Sequence, residues 1–278
     1  MPLNRRAFLA QTTTALAGAG LPPFRADDPE PLRIQRLSWA GIRLELGDST
    51  LLIDPWISTA IWDGAWTLPV IPVDVTTKER NVLITHMHND HFDQALLKTL
   101  ITEHGAVACV ADTAAAVASR GFRTWGLGLY EPMVLGSTGT WSIAPVPAED
   151  GLGELQVAWI VTAGGRRMIH CGDTMWHGRF GIIGRHYGPF DIAFLPINGA
   201  DFLKAPLRTG LPLSLTPDQA AAAAHLLGAA RVCPIHYGLN DPHVYAEYPN
   251  ALPAFLAAAK QRGVRVDVLE PGQWLNWS

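Results

Sequence analysis

Nine consecutive residues, Thr85-His86-Met87-His88-Asn89-Asp90-His91-Phe92-Asp93, carry three histidines and two aspartates directly after an apolar run. Neutral imidazole and carboxylate are the ligands that borderline divalent metals such as zinc accept, so this spacing reads as a metal site. His86 and His88, two apart at the end of a strand, can converge on one metal as the chain turns. Asp90 and His91, just beyond, can face a second. A two-metal site also needs a bridging carboxylate and further ligands from distant sequence. His170-Cys171-Gly172-Asp173-Thr174 places Asp173 behind an apolar strand and a glycine, and Pro234-Ile235-His236-Tyr237-Gly238 does the same for His236.

The elements that position these residues can be read from hydrophobic periodicity. Ile34–Trp39, Ile42–Leu46 and Thr50–Ile53 are short runs separated by Gly and Asp, which predicts a strand meander ended by Asp54-Pro55-Trp56. From Trp56 to Val75 the chain is rich in Trp and Pro and without period, a long loop of the kind that often carries function. Val82-Leu83-Ile84 predicts a buried strand delivering the histidines at its carboxyl end, and Asp93 is placed to cap a following helix. Further strands are predicted at Ala106–Val110, Thr138–Val146, Leu155–Val161, Arg167–His170, Asp191–Leu195, Val232–Ile235 and Val264–Leu269. Helices are predicted at Asp112–Ser119 with Asp112 as cap, within Thr174–Gly188, at Thr216–Leu227 opened by Thr216-Pro217, and at Leu252–Arg262. Two sheets between helices, an α/β sandwich, satisfy this order.

Of the 278 residues, 48% are hydrophobic and 17% charged, enough for a buried core in one domain. A formal charge of -4 and the lack of Lys/Arg clusters argue against nucleic acid as partner and for a small-molecule or lipid-like substrate. Cys109, Cys171 and Cys233 lie far apart in apolar contexts and read as buried thiols. At the N-terminus, Asn4-Arg5-Arg6-Ala7-Phe8-Leu9 precedes a weakly hydrophobic segment too short and polar to span a bilayer. It looks like a twin-arginine export signal. Residues 1–26 are therefore expected to be removed, after Ala19 or Ala26, leaving 27–278 as an extracytoplasmic, periplasmic domain with no stable membrane span.

Together these motifs resemble the metallo-beta-lactamase superfamily. The resemblance rests on Leu52-Ile53-Asp54-Pro55-Trp56, His86 to Asp93, Gly172-Asp173-Thr174 and Pro234 to Gly238, in that order along the chain. Gly188-Pro189-Phe190-Asp191-Ile192-Ala193-Phe194-Leu195-Pro196-Ile197 is similar to the branch containing N-acyl-phosphatidylethanolamine-hydrolysing phospholipase D and the ascorbate-phosphate lactonases. The resemblance implies an αββα sandwich of two mixed sheets. It implies that His86 and His88 bind a first metal, Asp90, His91 and His236 a second, and that Asp173 bridges them. Where the family supplies a third histidine to the first metal, this chain has Val146-Pro147-Ala148-Glu149-Asp150. Three readings stand: Asp150 or Glu149 ligates and shifts preference toward manganese or iron, the first site is weak or empty, or the loop is a solvated acidic one.

Around this centre, Asp54 is expected to orient metal-binding imidazoles. Trp62 and Trp66 are expected to contact an apolar substrate. Tyr237, His177 and His243 are further candidates for the cleft. His104, His170, His177, His186 and His225 also have structural explanations as exposed or satisfied side chains. The expected activity is hydrolysis of a phosphodiester, lactone or other ester by a hydroxide bridging two divalent metals, zinc first, with Asp90 moving a proton. Iron-dependent redox chemistry and a non-catalytic binding protein with a degraded first site are the rivals.

Overall fold

The computed structural model describes residues 31–277 except 63, 204–208, 240, 242 and 244. The segment expected to be a twin-arginine signal, with its expected cleavage sites, lies outside the described residues.

The first sheet holds β1 (Arg33–Arg36), β2 (Ile42–Leu46), β3 (Ser49–Ile53), β4 (Glu79–Leu83), β5 (Val107–Val110) and β6 (Thr124–Leu127), in that order. Strands β1 to β3 form an antiparallel meander, and β3 to β6 run parallel. The second sheet is built from β7 (Met133–Leu135), β8 (Trp141–Pro147), β9 (Val157–Ala163), β10 (Arg166–His170), β11 (Ile192–Pro196), β13 (Arg231–Ile235) and β15 (Arg265–Val266). Its order is β15-β13-β11-β10-β9-β8-β7, parallel from β15 to β10 and antiparallel from there to β7. A two-stranded ribbon of β12 (Asp201–Phe202) and β14 (Tyr245–Ala246) stands beside it.

Strands β3, β9, β11 and β13 are buried along their whole length, as strands covered on both faces must be. Between the sheets lies a core of Ile42, Leu44, Ile53, Trp141, Trp159 and Phe194, among others. Helices α1 (Gln94–Leu100) and α2 (Ala114–Ser119) close the outer face of the first sheet through Leu96, Leu97, Leu100 and Val117. Helices α3 (Phe180–Tyr187), α4 (Pro217–Leu227) and α5 (Ala251–Gln261) close that of the second. This is the expected αββα sandwich of two mixed sheets. Each fully buried Leu or Ile in it contributes about 1.5–3 kcal/mol.

Local chemistry explains where the helices begin. The Asp93 side chain accepts the Leu96 N–H at 3.0 Å and caps α1 as the sequence predicts. Thr216 and Gln219 form a reciprocal capping box ahead of Pro217 in α4. Gly184 lets α3 approach α4 closely, because a Cβ there would lie 2.2 Å from the Leu226 carbonyl. Several expectations need correction. Asp112 caps nothing: residues Ala111–Thr113 form a 3-10 turn, and Thr113 stands at the start of α2 without a capping bond. Within Thr174–Gly188 only Phe180–Tyr187 is α-helical. The long loop contains a 3-10 turn at Thr59–Trp62. All three cysteines are buried and free, and burial pushes the Cys233 thiol up to about 12. Among the described residues no helix is long and apolar enough to cross a membrane.

Candidate metal centre

All the predicted metal ligands sit beyond the carboxyl ends of strands. The histidine turn follows β4, Asp173 follows β10 and His236 follows β13. The turn is pinned across the sandwich, since the Thr85 carbonyl accepts the Val157 N–H at 3.0 Å and the Ile84 carbonyl accepts Trp159 Nε1–H at 2.9 Å. The backbone is strained here in several places. Trp39, Asp54 and His236 all have positive φ (57°, 45° and 54°), a conformation held only where surrounding contacts over-determine it. Gly172, at φ 59°, leaves room where a Cβ would meet Thr85 Oγ1 and Gln156 Nε2 at 2.9 Å, so Asp173 can follow immediately.

Two triads of potential ligands converge. His86, His88 and Asp173 form one, and Asp90, His91 and His236 the other. In the first, His86 Nε2 stands 2.9 Å from His88 Nδ1 and 3.7 Å from Asp173 Oδ2. In the second, Asp90 Oδ2 is 3.8 Å from His91 Nε2 and 3.6 Å from His236 Nε2. Asp173 Oδ2 also lies 3.9 Å from His91 Nε2 and 4.0 Å from His236 Nε2, which puts one carboxylate oxygen between the triads. His91 Nε2, His236 Nε2 and Asp173 Oδ1 are buried without a hydrogen-bond partner. Buried polar atoms without partners are costly unless something else satisfies them, and divalent cation binding fits this donor set.

The outer nitrogens are organised as well. Asp54, fully buried, accepts His91 Nδ1–H at 2.8 Å, the Thr85 N–H at 2.8 Å and the Thr85 hydroxyl at 2.5 Å. With its proton given to Asp54, the Thr85 oxygen accepts from His86 Nδ1 at 3.0 Å. One carboxylate thereby orients two imidazoles through their Nδ1 atoms and turns both Nε2 atoms toward the centre. Burial pulls His86 down to about 4 despite Asp173. Burial acts the same way on His91, but Asp90, Asp173 and Asp54 override it and raise the group to about 10. Burial works against the Asp173 charge, yet His86, His91 and His236 hold the carboxyl at about 2. Asp90 lies well below the ordinary carboxylate range: burial opposes its charge, and His91 and His236 outweigh it.

The centre opens into a cleft of about 350 Å³. Trp62 is on its wall. Trp66 is set behind, edge-on to Trp39 at 5.4 Å and to Trp56 at 4.6 Å. The other candidates are not brought into the described lining. Tyr237 turns its hydroxyl to Arg36 at 3.1 Å, His177 stacks on Phe180 at 4.0 Å, and His243 is exposed. His170 is buried with Nε2 2.8 Å from the Ala40 carbonyl, a structural role. Glu149 is exposed, whereas Asp150 lines the cleft outside both triads, with Oδ2 3.7 Å from His88 Nε2. Burial raises the Asp150 carboxyl.

Three residues of the site had no signal in the sequence. Trp39, in the turn between β1 and β2, donates Nε1–H to Asp90 Oδ2 at 3.0 Å. Asn198, after β11, accepts the Ser214 hydroxyl while Ser214 Oγ accepts the Ala200 N–H at 3.3 Å. That leaves Asn198 Nδ2 a buried donor without a partner, on a residue of the cleft wall.

A family model described as a beta-lactamase superfamily domain matches residues 49–237. A UPF0173 metal-dependent hydrolase of Thermococcus kodakarensis is 27% identical over 253 residues, covering 88% of this chain and 99% of its own. A second, from Thermus thermophilus, is 27% identical over 256 residues with the same coverage of both chains. Among solved structures, a metallo hydrolase from Ignicoccus hospitalis superposes with a TM-score of 0.67 at 21% identity, over 89% of this chain and 99% of that one. A diiron beta-hydroxylase from Streptomyces venezuelae reaches 0.68 at 17% identity, over 89% of this chain and 54% of its own. At these identities the two structures share the fold alone.

Proposed function

Because the chain belongs to the beta-lactamase superfamily, we propose that its cleft is the active site of a metal-dependent hydrolase acting on a phosphodiester, lactone or other ester in a small or lipid-like substrate. The site would hold two divalent metals, zinc by preference: one on His86 and His88, one on Asp90, His91 and His236, with Asp173 shared. The observation that carries this reading is the placement of Asp173 Oδ2 within 4.0 Å of three imidazole nitrogens, two of them buried without partners. Divalent metals bound there would acidify water and polarise the bond to be cut. The branch resemblance rests on the Gly188–Ile197 stretch alone, so the bond is proposed only at the level of the ester class.

The residues of the chain supply the rest. Asp90 accepts the Trp39 N–H through Oδ2, which fixes the orientation of its carboxylate beside His91 and His236, and in this proposal it is also the group that relays a proton. Trp39, Trp62, Ile61, Leu213 and Phe202 give the cleft an apolar wall for the body of a substrate. Asn198, fixed by Ser214, offers Nδ2 to an acceptor oxygen on it. Export through the twin-arginine segment belongs to the same proposal, and deleting residues 1–26 should keep the protein in the cytoplasm.

Elemental analysis of the purified protein, with turnover of bis-p-nitrophenyl phosphate, a simple lactone and a p-nitrophenyl ester, tests the reading. Two metals per chain and hydrolysis that chelation removes and metal restores would support it. Full metal loading with no hydrolysis of any of the three would favour a binding protein. Stoichiometric iron with oxygen consumption would favour redox chemistry.

A further inference from the structure

We propose that Asp150 and Glu154 are positioning residues that hold His88 by its outer nitrogen, so that the first metal takes only His86, His88 and Asp173 from the protein. This rests on the metal-binding reading above. His88 faces His86 Nε2 with Nδ1, at 2.9 Å, so its Nε2 lies on the far side of the ring. Two carboxylates meet it there: Asp150 Oδ2 at 3.7 Å and Glu154 Oε2 at 3.5 Å. The Asp150 side chain is 4% exposed, and its second oxygen is committed, since Oδ1 accepts the backbone N–H of Leu152 and of Glu154. Only Oδ2 is left over, and it faces the nitrogen of His88 turned away from the triad. To ligate a metal directly, Asp150 would have to turn Oδ2 away from His88 and toward the triad.

The arrangement extends to His88, at the longer range of an ion pair, a pattern that hydrogen bonds already make elsewhere in the site. His91 is held from behind by Asp54 directly, and His86 by Asp54 through Thr85. With Asp150 and Glu154 behind His88, each imidazole of the turn has a carboxylate on its outer side, which sets the tautomer and makes the inner nitrogen a better donor. The remaining coordination positions of the first metal then fall to water and substrate. The residue that replaces the family's third histidine acts on the metal through His88.

Metal competition titrations on Asp150→Asn, Glu154→Gln and the double variant, with X-ray absorption of the cobalt(II)-substituted protein, test this. The metal-to-protein ratio and the number of protein ligands should stay as in the wild type. Affinity for one of the two metals should fall about 10–100-fold in Asp150→Asn and further in the double variant. Loss of one metal per chain, or of one oxygen ligand, in Asp150→Asn or Asp150→Ala would make Asp150 a ligand and overturn the inference. Unchanged affinity in the double variant would make the loop a solvated one and overturn it equally. Both results leave the hydrolase reading standing, whereas a wild-type chain that binds no divalent metal overturns the two together.

Discussion

The indole N–H of Trp39 points at Oδ2 of Asp90 from 3.0 Å, and the same ring lies 4.1 Å from the imidazole of His236. One aromatic side chain thereby touches two of the three members of the second triad. Its neighbours Trp62 and Trp66 approach at 5.8 and 5.4 Å and hold it in place. Trp39→Phe keeps most of the ring contacts and removes only the donor. The expected result is a folded protein, by circular dichroism, whose affinity for one metal is about 10–100-fold weaker in a competition titration.

Asp54 satisfies three donors in a fully buried position. Asp54→Ala strands the Thr85 N–H and the outer nitrogen of His91 together. A cost of about 3–5 kcal/mol is expected, the range for removing one partner of a buried charged pair. Denaturant titration of the metal-free protein measures it without interference from ligand loss.

Metal loading should release protons. Without metal, His91 is raised to about 10 and so carries its proton at pH 7, and that proton must leave before Nε2 can coordinate. Isothermal titration at pH 7 in two buffers of different ionisation enthalpy should show about one proton released per chain. His91 stabilises the metal-free fold below the unfolded-state value near 6.5, and this contribution is lost as pH rises through 10.

His177 gives the opposite dependence, away from the two triads. Burial against Phe180, with Arg179 nearby, lowers it to about 4. Between pH 6.5 and 4 the unfolded chain takes a proton that the folded one refuses, so stability falls as pH drops through that window and levels off below it. The full effect is about 3 kcal/mol. His177→Gln should shrink the difference between denaturant midpoints at pH 7 and pH 4.5.

Much of this architecture could be read from the chain because the signals were local. The apolar run Val82-Leu83-Ile84 ends at the histidine turn, Asp93 caps α1, and Thr216-Pro217 opens α4. What escaped depends on tertiary contact. Strands β6 and β7 are short edge strands, and the exposed middle of β6, Trp125-Gly126, leaves no alternation to detect. Trp39 reads as an ordinary core residue until the fold brings it to Asp90. Asn198 and Ser214, 16 residues apart, have no joint pattern. For Asp150 the sequence gives position but not direction: only the bonds from Leu152 and Glu154 show which way its free oxygen faces.

The proposed ligands are divided between the two halves of the sandwich. His86, His88, Asp90 and His91 follow β4 of the first sheet, while Asp173 and His236 follow β10 and β13 of the second. Each triad spans that division, so an ion seated in either one acts as a clasp across the seam where the sheets meet. Resistance to unfolding is then linked to the free-metal concentration around the protein, at about 2.7 kcal/mol per site once the ion is at a hundred times its dissociation constant. In a metal-starved medium the seam would lose its clasps, and the lifetime of the folded chain would be governed by the same six side chains that are proposed as the metal centre.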